Sequence, residues 1–209
     1  MRRQYSKVLR DQPAAAVLTL VRQLLASDET SLRLTGYELC AHHAAAMQRL
    51  RAPELRRLGV HLTSWFDTDC FGKFIAGPAW RAGQVSDAVI MTWARSKDYW
   101  WRRAALVSTI GQDTKRTLPV CVELRDDHEP MVWKALSWAL RELSKRDPSA
   151  VRQFIDEHEG ALARGVVREV RNKLATGTKA GRASPAARAA AGRPPRARAT
   201  PRPRRGGSA

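Results

Sequence analysis

Apolar residues recur along this chain at the i, i+3, i+4 spacing that places them on one face of an α-helix. The first clear example comprises Val17, Leu18, Val21, Leu24 and Leu25. The pattern predicts helices over about 13–26, 31–50, a short segment from Pro53, 65–76, 85–96, 99–110, 114–124, 130–144, 148–158 and 162–175. No convincing period-2 strand occurs, so the sequence predicts an all-α protein.

Capping residues and prolines set several of these boundaries. Ser64 and Asp67 have the S-x-x-D spacing of a capping box, with Asp in place of the usual Glu, which predicts a helix from Trp65. The Gly-Pro pair at 77–78 predicts the end of that helix. Pro119 lies inside a predicted helix, which is therefore either kinked there or begins close to Leu118.

Short helices joined by short connections are typical of stacked helix pairs. The spacing of three candidate functional residues supports this architecture. Asp69 and Arg103 are 34 residues apart, and Arg103 and Trp138 are 35 apart. That interval suits a repeat slightly shorter than the usual HEAT length. Residues one repeat apart occupy equivalent positions in successive pairs. We therefore expect an α-solenoid of HEAT-like helix pairs with these three residues on one basic concave face.

The composition changes from about Thr176 onward, where Ala, Arg, Pro and Gly replace the large apolar residues. Residues 180–209 hold eight arginines and no acids, which leaves +9 of the formal net charge of +17 to residues 1–179. Because such a tail cannot bury enough apolar surface to offset its ordering entropy, we expect 1–175 to form one helical domain and 176–209 to be disordered. The arginines favour nucleic-acid binding without sequence preference, although a tail with no dedicated role is an equally good interpretation.

The cysteines and the N-terminus indicate the compartment. Cys40, Cys70 and Cys121 have no paired spacing, which is typical of a reducing compartment. The N-terminal M-R-R-Q-Y-S-K lacks the apolar run of a signal peptide, and no stretch approaches the ~18 uncharged residues of a membrane span. We therefore expect a cytoplasmic protein that associates with the nucleoid when it is bound to DNA.

The tryptophans suggest what the basic charge is for. All seven lie between residues 65 and 138, and three fall in W-A-R-S-K-D-Y-W-W-R-R at 93–103. Indole faces interleaved with guanidinium groups are typical of surfaces that hold a polyanion and stack on it. The alternative is that roughly four or five of the seven are core residues, because large aromatic side chains are mostly buried.

One acid stands out among these cations and indoles. Trp65 and Asp69 are four residues apart on one predicted helix, so they share a face. A lone carboxylate on a DNA-binding surface repels phosphate unless it meets a positive charge. An alkylated purine, or the sugar cation that forms as such a base leaves, supplies that charge, and the carboxylate could also position the attacking water. The alternative is a structural ion pair with a neighbouring arginine.

Three segments carry a more specific signal. They are S-W-F-D-T-D-C-F-G at 64–72, W-W-R-R-A-A-L at 100–106 and M-V-W-K-A-L-S-W-A-L-R-E-L-S-K-R-D-P-S-A-V at 131–151. They resemble the HEAT-like alkylpurine DNA glycosylases of the DNA alkylation repair family. The resemblance implies hydrolysis of the N-glycosidic bond of cationic N3- or N7-alkylated purines in double-stranded DNA. It also implies that no metal is needed and that the lesion need not be flipped into a deep pocket. We expect a monomer that uses no cofactor.

The resemblance also implies roles for individual residues. The family's W-x-x-x-D pair falls on Trp65 and Asp69, and Asp69 would stabilise the sugar cation and position water. Trp65 and Trp138 would contact the backbone and deoxyribose around the lesion. The W-x-x-R motif falls on Trp100 and Arg103, and Arg103 would hold a phosphate. Further candidate DNA contacts are Trp101, Arg102, Lys134 and Arg141.

Several alternatives stay open at the level of the sequence. The aromatic–acid motif reads W-F-D-T-D, so Asp67 competes with Asp69 for the acidic role. The family's N-terminal aromatic contact would fall on Tyr5 or Tyr37. A cluster at Cys40, His42 and His43 lacks the spacing of a metal site. Two other functions also fit: a non-catalytic HEAT-like protein for bent, damaged or branched duplex, and a protein-binding scaffold with little DNA affinity without residues 180–209.

Overall fold

The computed structural model describes residues 2–181, which form helices and turns with no strand in that range. The α-helices are α1 (Arg2–Leu9), α2 (Ala14–Leu25), α3 (Thr30–His42), α4 (Ala44–Gln48), α5 (Ala52–Leu58), α6 (Trp65–Cys70), α7 (Gly77–Arg81), α8 (Asp87–Ala94), α9 (Tyr99–Ser108), α10 (Thr114–Glu123), α11 (Pro130–Leu143), α12 (Pro148–His158) and α13 (Arg164–Thr176). A 3-10 turn covers Gly59–His61, and a π-helical segment, Phe71–Ala76, joins α6 to α7. The predicted all-α fold is confirmed.

The helices pack as successive pairs, α2 with α3, α5 with the π-helical segment, α8 with α9, α10 with α11, and α12 with α13. The second helices of these pairs also contact each other in order: α3, then α6 with the π-helical segment, then α9, α11 and α13. We call this series the central row. A stack in which each pair touches its neighbours is the arrangement of an α-solenoid, as the sequence predicted.

Hydrogen bonds between neighbouring pairs follow the repeat length. Arg33 and Arg103 each bind an acid 34 residues away, Asp67 and Asp69 respectively. The Ser137 hydroxyl on α11 donates to Glu169 on α13, 32 residues further along the chain. A repeat of this length therefore brings polar side chains of adjacent central-row helices into contact. The candidate residues Trp65, Asp69, Arg103 and Trp138 all lie on this row.

Two parts of the N-terminal prediction are wrong. The predicted helix over 31–50 is interrupted at His43, whose backbone is extended with φ −101° and ψ 98°. The His43 imidazole accepts a hydrogen bond from the Ala46 N–H and so caps α4. A side chain that satisfies a helix N-terminus in this way compensates for the break. The chain also forms α1, a helix that the apolar pattern did not predict and that contacts α3.

The predicted helix end at Gly77 is also wrong. The chain stays helical through the π-helical segment, in which the Gly77 N–H bonds to the Gly72 carbonyl five residues back. This wider turn accommodates the missing N–H and the ring of Pro78. A Cβ on Gly77 would lie 2.8 Å from the Ser108 carbonyl oxygen. The glycine therefore permits close packing of the helix on α9, and Pro78 falls in the first turn of α7.

The helix predicted around Pro119 begins at Thr114 and runs through the proline to Glu123. The predicted disordered tail lies almost wholly in 182–209, outside the described residues. In the part of the chain that the structure describes, no helix combines the length and apolar character needed to cross a membrane.

Candidate functional site

Asp67 is fully buried and serves the fold. One carboxylate oxygen accepts a hydrogen bond from Arg33 Nε at 2.8 Å, and the other accepts one from the Ser64 hydroxyl. The same hydroxyl accepts the Asp67 N–H at 3.2 Å and so caps α6, as the S-x-x-D spacing predicted. The side chain of Asp67 is 0% exposed. Asp67 therefore ties α3 to the start of α6 and cannot reach a ligand.

Asp69 has a different environment, although it lies only two residues further on. Its side chain is 21% exposed, and it forms a bidentate pair with Arg103 on α9. Arg103 Nε and Nη2 each donate to one carboxylate oxygen at 2.9 Å. Arg103 Nη1 donates to the Met131 carbonyl on α11, so its buried guanidinium bridges three central-row helices. This fork geometry fixes the plane of the carboxylate.

The Asp69 carboxyl titrates above its ordinary range. Burial raises its pKa above the usual 3.8, although the Arg103 hydrogen bonds and the positive charges of Arg103 and Lys73 act in the opposite direction. The ionised carboxylate is therefore held at a cost in solvation that its partners do not fully offset. A partly desolvated acid next to a charge partner, open to solvent on one side, is a frequent feature of functional sites.

Trp65 and Lys73 lie one turn on either side of this carboxylate along the chain, and Lys73 in turn contacts Trp138. Trp65, one helical turn before Asp69, is 57% exposed and meets Phe66 edge-on at 6.2 Å between ring centroids. Lys73, four residues after Asp69, places its Nζ 5.9 Å from the centroid of the half-buried Trp138 ring. The structure therefore brings Trp65 and Asp69 together on α6 and links Trp138 of α11 to them through Lys73. Sequence reasoning missed Lys73, although its spacing continues the series 65, 69, 73.

Two of the predicted aromatic DNA contacts pack mainly against protein. Trp101 lies 5.8 Å from Phe71 and 5.1 Å from Trp93 between ring centroids. A Cβ on Gly59 would lie 2.3 Å from the Trp101 ring, so that ring sits directly on the glycine backbone. Trp100 is half-buried and packs at 4.6 Å on Tyr99 at the start of α9. Both rings are therefore half-buried against the core, and neither is a fully exposed stacking face.

Two of the predicted basic contacts are engaged within the protein. Arg102 pairs with Asp127 at 2.6 Å and donates to the carbonyls of Ser96 and Lys97, which holds the loop before α9. Arg141 donates to the Ser137 hydroxyl at 3.2 Å and has Glu169 3.9 Å away.

A third basic residue, Lys134, is different. It is exposed on α11, with its Nζ 5.8 Å from the Trp133 ring centroid. Of these three cations, Lys134 is the one whose charge faces solvent.

The structure also distinguishes the other sequence candidates. Tyr37 is 1% exposed within the core, whereas Tyr5 on α1 is 49% exposed, so of these two candidates Tyr5 is the one that an external ligand can reach. Cys40 is buried, and His43 caps α4. Between residues 2 and 181, no group of three His, Cys, Asp or Glu side chains is arranged to hold a metal.

Comparison with known proteins adds the family. A family model described as DNA alkylation repair enzyme matches residues 1–174. The chain belongs to this DNA alkylation repair family. The match covers α3, α6, α9 and α11 of the central row completely and α13 as far as residue 174, and so includes the two acid–arginine pairs that join α3, α6 and α9. No curated protein matches the chain. Family membership supports an enzyme of DNA repair that acts on DNA.

Proposed function

We propose that this protein is a monofunctional DNA glycosylase that removes cationic N3- or N7-alkylated purines from duplex DNA. In the reaction, the bond between C1′ and the purine nitrogen breaks with its electron pair going to the base, which leaves neutral. The positive charge passes to the deoxyribose. Water then adds to C1′ and loses a proton to the solvent, which leaves an abasic site. The reaction as proposed consumes only water and needs no cofactor.

The observation that carries this proposal is the environment of Asp69. A partly exposed carboxylate on a basic chain, with its pKa raised by burial, gains most when a cation forms in front of it. The departing alkylpurine creates such a cation at C1′. A preorganised charge aimed at the place where charge develops is usually the largest single contribution to catalysis. Asp67 offers no such surface because it is sealed against Arg33 and Ser64.

The neighbouring residues have distinct roles in this proposal. Arg103 is a positioning residue for Asp69, since its guanidinium is buried and bound to that carboxylate and to a backbone carbonyl. We therefore assign Arg103 this positioning role instead of the phosphate contact that the family resemblance implied. Trp65 and the exposed edge of Trp138 would lie against the backbone and deoxyribose of the damaged nucleotide, because exposed indole faces pack well on sugars and cations.

The direct test is base release. Duplex DNA treated with a methylating agent is incubated with the protein, and free 7-methylguanine and 3-methyladenine are separated from the polymer and quantified. The proposal expects both free base and an equal amount of alkali-labile abasic sites above the uncatalysed background. Glycosylase activity would be rejected if base is released only at the background rate while the DNA is fully bound by a stoichiometric amount of protein.

The raised pKa of Asp69 predicts how activity depends on pH. Only the ionised carboxylate stabilises a sugar cation, so single-turnover release is expected to fall as pH decreases through the pKa of Asp69 in the folded protein. Because that pKa is raised, the loss begins above pH 3.8. A pH profile of base release between pH 4 and 8, corrected for spontaneous depurination, measures this acid limb. A profile that is flat down to about pH 4 contradicts the role of Asp69.

One observation favours a second function, a non-catalytic protein that binds bent, damaged or branched duplex. The bidentate pair with Arg103 already neutralises Asp69 in the free protein, which leaves less of its charge for a sugar cation. This alternative predicts tight, salt-sensitive DNA binding without any abasic product. The base-release assay therefore separates the two functions directly.

Removal of residues 182–209 provides a further prediction. The deletion removes eight arginines, so affinity for undamaged duplex is expected to fall and the dependence of log K on log salt to become shallower, by about 0.9 for each lost phosphate contact. Base release from saturated complexes is expected to be unchanged, because Asp69 and its partners lie in the helical repeats. Binding titrations at several salt concentrations measure the slope. Complete loss of DNA affinity on deletion would support the protein-binding scaffold instead.

A further inference from the structure

We propose that Lys73 and the ring of Trp138 form a binding site for one phosphodiester of the damaged strand, next to the nucleotide that Asp69 faces. The inference rests on the proposed function for the position of the lesion, but not on excision itself. Its ligand is a backbone phosphate in duplex DNA, which carries a single negative charge.

The first support is the geometry of Lys73. Its Nζ lies 5.9 Å from the centroid of Trp138 and 5.4 Å from that of Phe74, and the residue is exposed. Two aromatic rings attract the ammonium group electrostatically and restrict where it can lie. A lysine held in this way loses less side-chain entropy when it binds a phosphate than a lysine that moves freely in solvent.

The second support is the state of three other cations on helices of the central row. Arg33, Arg102 and Arg103 are each paired with a carboxylate at 2.9 Å or less, and their side chains are largely buried. Among the described contacts, Lys73 forms no hydrogen bond or ion pair with a protein group; it acts on Asp69 only as a nearby positive charge. The ammonium therefore keeps its three donors for a ligand, and a compact point charge suits a phosphate oxygen.

The third support is the position of this cation relative to the acid. Lys73 follows Asp69 by four residues on the same continuous helical segment, and α11 places the Trp138 ring 5.9 Å from the ammonium. A phosphate bound by Lys73 is therefore about one nucleotide from the sugar that Asp69 faces. This contact compensates for the repulsion between Asp69 and the backbone, and it sets the register of the damaged strand on the central row.

The experiment combines protein variants with chemically neutralised phosphates. Wild type, Lys73→Ala and Lys73→Arg are titrated with a set of duplexes that contain a stable abasic analogue. In each duplex a single uncharged methylphosphonate replaces one phosphate near the analogue. We expect one position at which neutralisation weakens wild-type binding by about fivefold to tenfold. Lys73→Ala should weaken binding of the unmodified duplex to a similar extent. Neutralising the phosphate at that position should then weaken its binding no further, whereas Lys73→Arg should remain sensitive to that neutralisation.

A matched control is Lys115→Ala, which removes one exposed lysine from α10, outside the central row. It should keep the wild-type sensitivity at every phosphate, whereas Lys73→Ala should lower the salt slope by about 1. Equal sensitivity of wild type and Lys73→Ala at all positions would overturn the inference. These are binding measurements, so they do not depend on excision. If the protein releases no base but Lys73→Ala loses sensitivity at one phosphate, the glycosylase proposal is rejected and the phosphate site stands. If the protein releases base but Lys73→Ala keeps the wild-type sensitivity at every phosphate, the glycosylase stands and the phosphate site is rejected.

Discussion

Replacing Asp69 with asparagine is expected to slow single-turnover release of 7-methylguanine by about a hundredfold to a thousandfold. Asparagine keeps the shape of the side chain and one oxygen that accepts from Arg103, but it removes the negative charge that would face the sugar cation. DNA binding should be retained or become tighter, since a charge that repels phosphate is lost. A defined duplex with one 7-methylguanine, mixed with excess protein, separates the rate of release from the affinity.

The matched control for this substitution is Asp126→Asn, which makes the same change in charge at an exposed position between α10 and α11. It should release base at the wild-type rate. If Asp69→Asn and wild type release base equally fast from saturated complexes, Asp69 does not act on the reacting sugar.

Asp67→Ala is expected to damage stability instead of catalysis. The substitution leaves Arg33 largely buried without its carboxylate and removes a partner of Ser64 at the start of α6. Loss of one partner from a buried ion pair costs about 3–5 kcal/mol in the free energy of unfolding. For a chain of this size that corresponds to a decrease in the melting temperature on the order of 10 °C. Thermal unfolding followed by circular dichroism measures it.

The two acids can therefore be separated by two measurements on each variant. Asp69→Asn should unfold closer to wild type than Asp67→Ala does, because asparagine still accepts a hydrogen bond from Arg103. Asp67→Ala, assayed well below its melting temperature, should keep most of the base release. A variant at Asp67 that melts with wild type but releases no base would reverse the assignment of the two residues.

Helix periodicity was sufficient to predict the architecture. The spacing of 34 and 35 residues among Asp69, Arg103 and Trp138 anticipated that they lie on successive helices of one row. The wrong boundaries have local physical causes. Gly77 permits close packing on α9 instead of ending a helix, and a wider π-helical turn accommodates the following proline. A break at His43 depends on the side chain capping α4, which a search for apolar periodicity does not detect.

The sequence was less informative about individual side chains in the site. Asp67 and Asp69 look alike in W-F-D-T-D, and only the position of Arg33 on a distant helix distinguishes them. Arg103 resembles a phosphate ligand in sequence, but the repeat places its guanidinium directly against Asp69. The repeat spacing brings neighbouring helices close together, but it does not determine which of their side chains pair. Lys73 could have been found from its helical spacing to Asp69, whereas its contact with Trp138 could not.

The proposed mechanism requires the Asp69 carboxylate to face a positive charge at C1′ of the damaged nucleotide. The most direct measurement compares affinities for two duplexes, one with a pyrrolidine whose protonated nitrogen replaces C1′ and one with a neutral tetrahydrofuran at the same place. We expect wild type to bind the cationic duplex at least about tenfold more tightly, and Asp69→Asn to lose that preference. Equal binding of the two duplexes by wild type, or an undiminished preference in Asp69→Asn, would contradict this mechanism.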